Sequence, residues 1–523
     1  MNTPGVMEPT TTSTPWYRSM KVLLIATILL PPVGLVMLWL RKDTETGMKV
    51  FASLAILVLS AAYLFYASIS GLFVRPDPSL EAHYAELERQ RAEQQQAVAT
   101  GPSGAPTTAD PKASPASSIA ANANESKTAV AVPPKSNRSY WTNFRGPARD
   151  GRYDEIPIRT NWPAEGLPLL WKQPIGGGYA SFVVAEGVAF TIEQRRSQEI
   201  VAAYDLETGR ELWTHASDAE FRESMGGDGP RATPTWEAGR LWALGAQGDL
   251  RCFDAKNGKL NWSKNILKDN SAENLQWGMS GAPLIVDDKV VVLPGGRGGK
   301  SVVAYNKLTG AEVWKSLNDT QAYVSPMLVT LAGKRQILVV TANRIVGLAV
   351  GDGSLLWETS WNTDMGINVS QPIVIDATRF FISSGYGKGA ALVEVTGSGD
   401  SLVARKVWEN TSMKNKFNSS VVYEGNVYGL DEGILTCIDV KTGERKWKGG
   451  RYGYGQVILA SGHLIVITDT GELVLVKATP DKHTELARFS AIEGKTWNYP
   501  AIAEGRLLVR NQTQMACFDL SGK

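Results

Sequence analysis

The sequence predicts an all-β protein, an eight-bladed β-propeller with four-stranded antiparallel blades, preceded by two transmembrane helices and a disordered linker. Three observations support this fold: two long uncharged apolar segments, a stretch rich in Ala, Pro, Ser and Thr, and a recurring motif that ends in tryptophan. They divide the 523 residues into an N-terminal tail (1–21), a two-helix transmembrane hairpin (22–74), a short helical stalk (75–98), a disordered linker (99–139) and the propeller (140–523).

The two apolar segments, residues 22–40 and 50–74, contain no charged residue. Each is long enough to cross the hydrocarbon core of a bilayer as a helix. A cleaved signal peptide is the alternative for the first segment, but a second span follows it and no small-residue cleavage site is obvious. Arg41, Lys42 and Lys49 lie between the spans. The positive-inside rule therefore puts this loop in the cytoplasm and the propeller on the periplasmic side of the inner membrane.

The stalk is a charged segment, and its Leu80, Tyr84 and Leu87 spacing predicts a short solvated helix, with a coiled coil as the alternative. The linker has almost no large apolar residues and cannot bury enough surface to fold.

Beyond the linker, one unit recurs. The copies "AYDLETGRELW", "CFDAKNGKLNW", "AYNKLTGAEVW", "GLAVGDGSLLW" and "CIDVKTGERKW" end at Trp213, Trp262, Trp314, Trp357 and Trp447, and degenerate copies end at Trp408 and Phe489. Asp and Gly supply the turn of a hairpin, and the large ring fills the space between neighbouring sheets. With two further short strands upstream, each unit predicts one four-stranded propeller blade.

The blade count depends on how the ends pair. Seven outer strands precede a C-terminal segment of three strands, and "LPLLWKQPI" with Trp171 supplies the missing fourth. This pairing closes a ring of eight blades without an open edge. A seven-bladed ring is the alternative, and it leaves both end segments unpaired. Cys252, Cys437 and Cys517 stand at the small position of the repeat, so they are predicted to be core residues rather than a disulfide framework or a zinc site.

The repeats resemble the pyrroloquinoline quinone (PQQ)-like propeller repeat, with its Ala-x-Asp-x-x-Thr-Gly-x-x-x-Trp motif, over residues 160–523. The segment "NFRGPARDGRY", residues 143–153, is similar to the lead-in of bacterial propellers of this type. The resemblance implies one of two branches. The quinoprotein dehydrogenases bind PQQ and Ca²⁺ on the propeller axis, whereas the outer-membrane β-barrel assembly lipoprotein is a binding scaffold without a cofactor.

The sequence departs from both branches. An adjacent Cys-Cys pair, typical of the alcohol dehydrogenases, is lacking, and the calcium ligands have no matching motif. The lipoprotein needs an N-terminal lipidated cysteine, yet the first cysteine here is Cys252. The resemblance is stronger to the lipoprotein branch, with two predicted spans in place of its lipid.

The candidate partner-binding surface is one rim of the channel, formed by loops that precede the inner strands and by the glycine-rich "GGRGGK" hairpin. We call this set the rim; it comprises Tyr179, Arg231, Arg297, Lys300, Tyr323, Phe417, Asn418, Tyr454, Trp497 and Asn498. Exposed aromatic and Arg residues are typical of binding surfaces. The alternative is that these rings pack the inner ends of the blades. "GGRGGKS" is not a phosphate loop, because Pro294 takes the required glycine position and a strand follows in place of a helix.

No catalytic, cofactor-binding or metal-binding set emerges from the sequence. The net charge of +2, from 54 basic and 52 acidic side chains, argues against a nucleic-acid partner. We therefore expect a membrane-anchored, non-enzymatic propeller that binds a protein or peptide in the bacterial cell envelope. The alternative is a PQQ-dependent oxidoreductase that also uses calcium.

Overall fold

The computed structural model describes residues 31–41, 44–69, 78–99, 140–399 and 401–522. The predicted tail (1–21) and residues 100–139 of the predicted linker lie outside this range. The chain divides into two units, Met1–Asp77 and Pro78–Lys523.

The first unit contains helices α1 (Pro31–Trp39) and α2 (Thr46–Ile69). Met37 and Leu38 pack against Ala52 and Ile56. Among the described residues, no helix combines the length and the apolar character that a membrane crossing needs. Parts of both predicted spans, residues 22–30 and 70–74, lie outside the described residues, and the two transmembrane helices stay a prediction.

The second unit begins with helix α3 (Pro78–Ala99) and continues as eight sheets, which confirms the eight-bladed all-β propeller. Blade 1 comprises β3 (Val183–Ala185), β4 (Val188–Arg195), β5 (Gln198–Asp205) and β6 (Glu211–Ser217). Blade 2 comprises β7 (Thr235–Glu237), β8 (Arg240–Leu244), β9 (Asp249–Asp254) and β10 (Leu260–Asn265), after which comes the single-turn helix α4 (Ile266–Asp269). Blade 3 comprises β11 (Leu284–Val286), β12 (Lys289–Val292), β13 (Val302–Asn306) and β14 (Glu312–Ser316).

The next three blades repeat this order. Blade 4 comprises β15 (Met327–Leu331), β16 (Lys334–Val340), β17 (Arg344–Ala349) and β18 (Leu355–Ser360). Blade 5 comprises β19 (Ile373–Val374), β20 (Arg379–Ser384), β21 (Gly389–Ser398) and β22 (Ser401–Asn410). Blade 6 comprises β23 (Val421–Tyr423), β24 (Asn426–Asp431), β25 (Ile434–Asp439) and β26 (Arg445–Arg451).

The last two blades use strands from both ends of the propeller. Blade 7 comprises β27 (Gln456–Ala460), β28 (His463–Ile467), β29 (Glu472–Lys477) and β30 (Glu485–Ser490), with β1 (Arg152–Tyr153) parallel to β27. Blade 8 comprises β31 (Ala501–Ala503), β32 (Arg506–Arg510) and β33 (Gln514–Asp519), and β2 (Leu169–Pro174) is its outer strand. Trp171 stands opposite Cys517 in this pair, as the closure by "LPLLWKQPI" predicts.

The turn chemistry of the repeat explains its pattern. In blade 1 the Asp205 carboxylate accepts hydrogen bonds from the backbone N–H groups of Glu207 and Thr208, and Gly209 has a φ of 68°. The residue opposite each motif tryptophan is small in most blades: Ala203, Cys252, Ala304, Gly347, Cys437 and Cys517. The cysteines are therefore buried core residues, and burial raises the pKa of Cys252 to about 11 and that of Cys437 to about 12.

Candidate functional site: the mouth of the central channel

The central channel is filled by the chain that leads into the propeller, residues 140–153. The carbonyl oxygens of Trp141 and Thr142 accept hydrogen bonds from Val184 in blade 1 and Trp236 in blade 2, at 2.9 Å each. The carbonyl of Gly151 accepts one from Leu459 in blade 7 at 2.8 Å. Blade 7 is separated from blades 1 and 2 by blade 8, so this short segment runs along the inner side of the ring rather than along a single blade.

Two arginines of this lead-in are buried on the axis. The Arg149 guanidinium donates to the carbonyl oxygens of Ala282, Pro283 and Pro326 at 3.2, 2.6 and 2.9 Å. The Arg145 guanidinium donates to the Ser420 carbonyl at 2.6 Å. Burial lowers the pKa of both groups, that of Arg149 to about 9. These side chains tie the inner strands of blades 3, 4 and 6 together at the centre of the ring.

The rim lies at the end of the channel where the inner strands begin. Tyr179, Arg231, Tyr323, Phe417 and Trp497 each stand four residues before the inner strand of their blade. The loops therefore place these side chains at equivalent positions around the mouth. All five are partly buried, so their rings and the guanidinium keep part of their surface open to solvent.

Four rim rings form one continuous cluster. The Trp497 ring lies 5.7 Å from Tyr179, to which it is nearly parallel, and 4.6 Å from Phe417, and Phe417 lies 4.9 Å from Tyr454. Phe417 and Trp497 belong to blades 6 and 8, which are not neighbours, so the rings converge over the channel. The side-chain amide of Gln456 connects their backbones by donating to both carbonyl oxygens, at 3.2 and 2.8 Å.

Cationic side chains stand over these rings. The Lys495 ammonium lies 4.4 Å from the centre of the Trp497 ring, and the Arg231 guanidinium lies 5.4 Å from that of Tyr179. Lys416 donates to the Tyr454 hydroxyl at 3.0 Å, and this hydrogen bond raises the pKa of Lys416. Burial lowers the pKa of Arg231, which also donates to the Gly227 carbonyl at 2.6 Å. Positive charge beside aromatic faces is stabilised by the ring quadrupole.

Two rim asparagines are not surface residues, which corrects their predicted place on an exposed rim. Asn418 and Asn498 are 1% and 2% exposed. The Asn498 amide donates to the carbonyl oxygens of Gly178 and Ala180, at 3.1 Å each, and so joins blade 8 to blade 1. The Asn418 amide has no hydrogen-bond partner within the described residues.

The remaining rim residues lie apart from the cluster. Tyr323 contacts Trp277, with ring centres 5.7 Å apart, in a second and separate pair. Arg297 is exposed and Lys300 partly buried in the turn after β12, and neither contacts the four-ring cluster within the described part of the chain. Sequence reasoning missed Trp277, Lys416 and Lys495. They lie in loops that the repeat motif does not include, and only the folded structure shows which aromatic ring each one contacts.

The described residues contain no group of three or more His, Cys, Asp or Glu side chains placed to hold a metal ion. The side chains that meet at the mouth are aromatic and cationic.

Comparison with known proteins gives relatives of two kinds. Residues 196–449 match a PQQ-repeat family model described as "Outer membrane protein assembly factor BamB". The protein of that name from Bordetella pertussis is 23% identical over 375 residues, which cover 63% of this chain and 92% of that protein. The quinohemoprotein alcohol dehydrogenase ADH-IIG of Pseudomonas putida is 25% identical over 189 residues, 34% of this chain and 25% of that enzyme. Among solved structures, the crystal structure of BamB from Moraxella catarrhalis superposes on this chain with a TM-score of 0.50 and 15% sequence identity. The superposition covers 67% of this chain and 97% of that one.

Proposed function

We infer that this chain, whose repeats are of the PQQ-like β-propeller type, is a non-enzymatic scaffold that binds a protein or peptide partner in the bacterial cell envelope. The four-ring cluster at the mouth of the channel is its binding surface. The two N-terminal helices anchor it in the inner membrane with the propeller on the periplasmic side.

The relatives support the envelope and a protein partner at the family level. The PQQ-like resemblance is confirmed, and the outer membrane protein assembly factors match over more of the chain than the dehydrogenase does. The membrane anchor rests on the uncharged segments 22–40 and 50–74 and on the basic loop between them.

One observation carries the proposal: aromatic rings from four blades meet at one end of the channel with cations beside them. Tyr, Trp and Arg are the residues that contribute most to protein–protein binding when they are clustered and partly desolvated. Trp497 is central, because it contacts both Tyr179 and Phe417.

The alternative, a PQQ-dependent oxidoreductase, is favoured only by the shorter match to dehydrogenases. The axis does not suit a calcium ion, which needs several oxygen ligands including carboxylates. Here Arg145 and Arg149 bring two buried positive charges to the axis, and their hydrogen bonds go to neutral oxygens. Saturable binding of PQQ with Ca²⁺ by the purified protein, or dye-linked alcohol oxidation, would contradict the scaffold function and support the oxidoreductase.

The test of the scaffold is photo-crosslinking in cells. A photoreactive amino acid at position 497 should capture a discrete envelope protein, whereas the same group at Leu308 should not. Leu308 is 53% exposed in a turn at the opposite end of blade 3 and serves as the matched control. Phe417→Ala, with the photoreactive group at 497, should lower the captured amount at least about ten-fold, the effect of one binding hot spot. Equal capture at both positions would contradict a specific surface.

Orientation has its own test. A reporter enzyme that is active only outside the cytoplasm, fused after residue 523, should be active. Activity of a cytoplasmic reporter at the same point would reverse the proposed orientation without affecting the binding surface.

A further inference from the structure

Helix α3, which the sequence predicts as a solvated stalk, is packed against the propeller along one side. Tyr84, Leu87 and Arg91 are only 4%, 0% and 5% exposed. Their spacing of three and four residues puts them on one face of the helix. The opposite side carries exposed charged residues such as Arg89 and Glu93.

One set of contacts joins α3 to strand β2, the outer strand of blade 8, and to Ile175, the residue after it. The Arg91 guanidinium donates to the Pro174 carbonyl at 2.8 Å, and Nε2 of His83 lies 2.9 Å from the Ile175 carbonyl oxygen. The Gln94 amide donates to Oε1 of Gln173 at 3.2 Å.

A second set joins the same helix to blade 1. The Arg91 guanidinium lies 5.2 Å from the centre of the Tyr204 ring, and its Nε is 3.5 Å from a Glu211 carboxylate oxygen. The Tyr84 hydroxyl donates to the Gln194 carbonyl at 3.3 Å. Burial raises the pKa of Tyr84 to about 12.

Ion pairs lie at the exposed edge of the interface between α3 and blade 1. The Arg196 guanidinium, at the β4–β5 hairpin, pairs with the carboxylates of Glu81 and Glu88 on α3. Such partly exposed pairs contribute little energy each, so the buried side chains Leu87 and Arg91 must supply most of the attachment.

We propose that the seam between blades 8 and 1 is a helix-binding site whose occupant is α3, and that the docked helix is a clasp which holds the ring closed. The seam is where closure depends on a strand pair from distant parts of the chain, β2 with β33. In blades 1 to 7 the outer strand is connected to the third strand of the same blade by a short turn. Because α3 binds β2 and blade 1 together, β2 is held beside blade 1 in the position that pairs with β33, and β2 cannot peel away from β33 by itself without also breaking these contacts.

The test is amide hydrogen exchange on the full-length protein. Arg91→Met removes the carbonyl, carboxylate and ring contacts of α3, and exchange in β2, β33 and β6 should become at least ten-fold faster. Arg89→Met is the matched control, because Arg89 lies on the exposed side and pairs only with Glu86 and Glu93 of its own helix in the described structure. Arg89→Met should leave the seam unchanged, and blades 3 to 5 should not respond to either variant.

Two results would overturn the clasp. One is unchanged exchange at the seam in Arg91→Met, and the other is an equal rise in every blade. A second measurement does not depend on stability: Gln94→Cys with Gln173→Cys should be joined in high yield by a short thiol-specific crosslinker, since the native cysteines are buried. Glu93→Cys with Gln173→Cys is its control, and equal yields for the two pairs would show that α3 is not seated in this way.

Discussion

The tryptophan that ends a repeat fits a glycine in the turn of the next blade. The Trp314 indole N–H donates to the Val350 carbonyl at 3.2 Å, and a Cβ added to Gly353 would come within 2.5 Å of the Trp314 ring. Equivalent indole contacts to the following blade are made by Trp171, Trp213, Trp262, Trp408 and Trp447. The glycine thus has two roles: it adopts the positive φ of the turn, and it leaves room for the tryptophan ring of the preceding blade.

This double role predicts different costs for two glycines of blade 4. Gly353 and Gly333 have φ values of 72° and 73°, but only Gly353 lies against a ring, while a Cβ on Gly333 would meet nothing within 4 Å. Gly333→Ala should lower the free energy of unfolding by about 1 kcal/mol, the cost of a left-handed backbone with a side chain. Gly353→Ala should cost a further ~1–3 kcal/mol through overpacking. Urea unfolding measures both, and equal losses would show that the ring contact adds nothing.

Among the elements, the lead-in of residues 140–153 organises the centre of the ring. It has little regular structure, yet its backbone and its two buried arginines bond to the inner strands of most blades. The inner strands are too far apart to contact each other across the axis, and the lead-in connects them.

Arg149 should therefore be among the most costly polar side chains to remove. Arg149→Met leaves the carbonyl oxygens of Ala282 and Pro326 buried without this donor, and we expect a loss of at least about 3 kcal/mol in the free energy of unfolding. Arg152, in the same segment, pairs with Asp154 at the surface, and Arg152→Met should cost under about 0.5 kcal/mol. The two values come from urea unfolding, and similar losses would contradict the structural role of the lead-in.

At the scale of the molecule, the sequence predicted what local chemistry determines. The Asp and Gly turns, the small residue opposite the tryptophan in most blades and the pairing of Trp171 with the C-terminal strands follow from short-range rules. Docking of α3 was not predictable, because its buried face comprises only Tyr84, Leu87 and Arg91, which is too short and too polar a stripe to distinguish a docked helix from a solvated one.

The site was predicted only in part, for a related reason. Tyr179, Phe417, Tyr454 and Trp497 could be placed on one rim by aligning the repeats. Their convergence over the channel, and the burial of Asn418 and Asn498, depend on contacts between blades that no periodicity encodes.

Closure of the ring predicts that the same tryptophan substitution speeds amide exchange over a wider region in the blade that closes the ring than in the other blades. Trp171→Ala and Trp314→Ala remove equivalent rings that are 6% and 7% exposed, and each should cost about 3–5 kcal/mol. In Trp314→Ala, faster amide exchange should stay within blades 3 and 4, because the ring remains closed. In Trp171→Ala, β2 is held less firmly to blade 1, so exchange should rise at both ends of the propeller chain, in β2 and in β31 to β33. An equally local response in both variants would mean that the seam is no weaker than any other junction between blades.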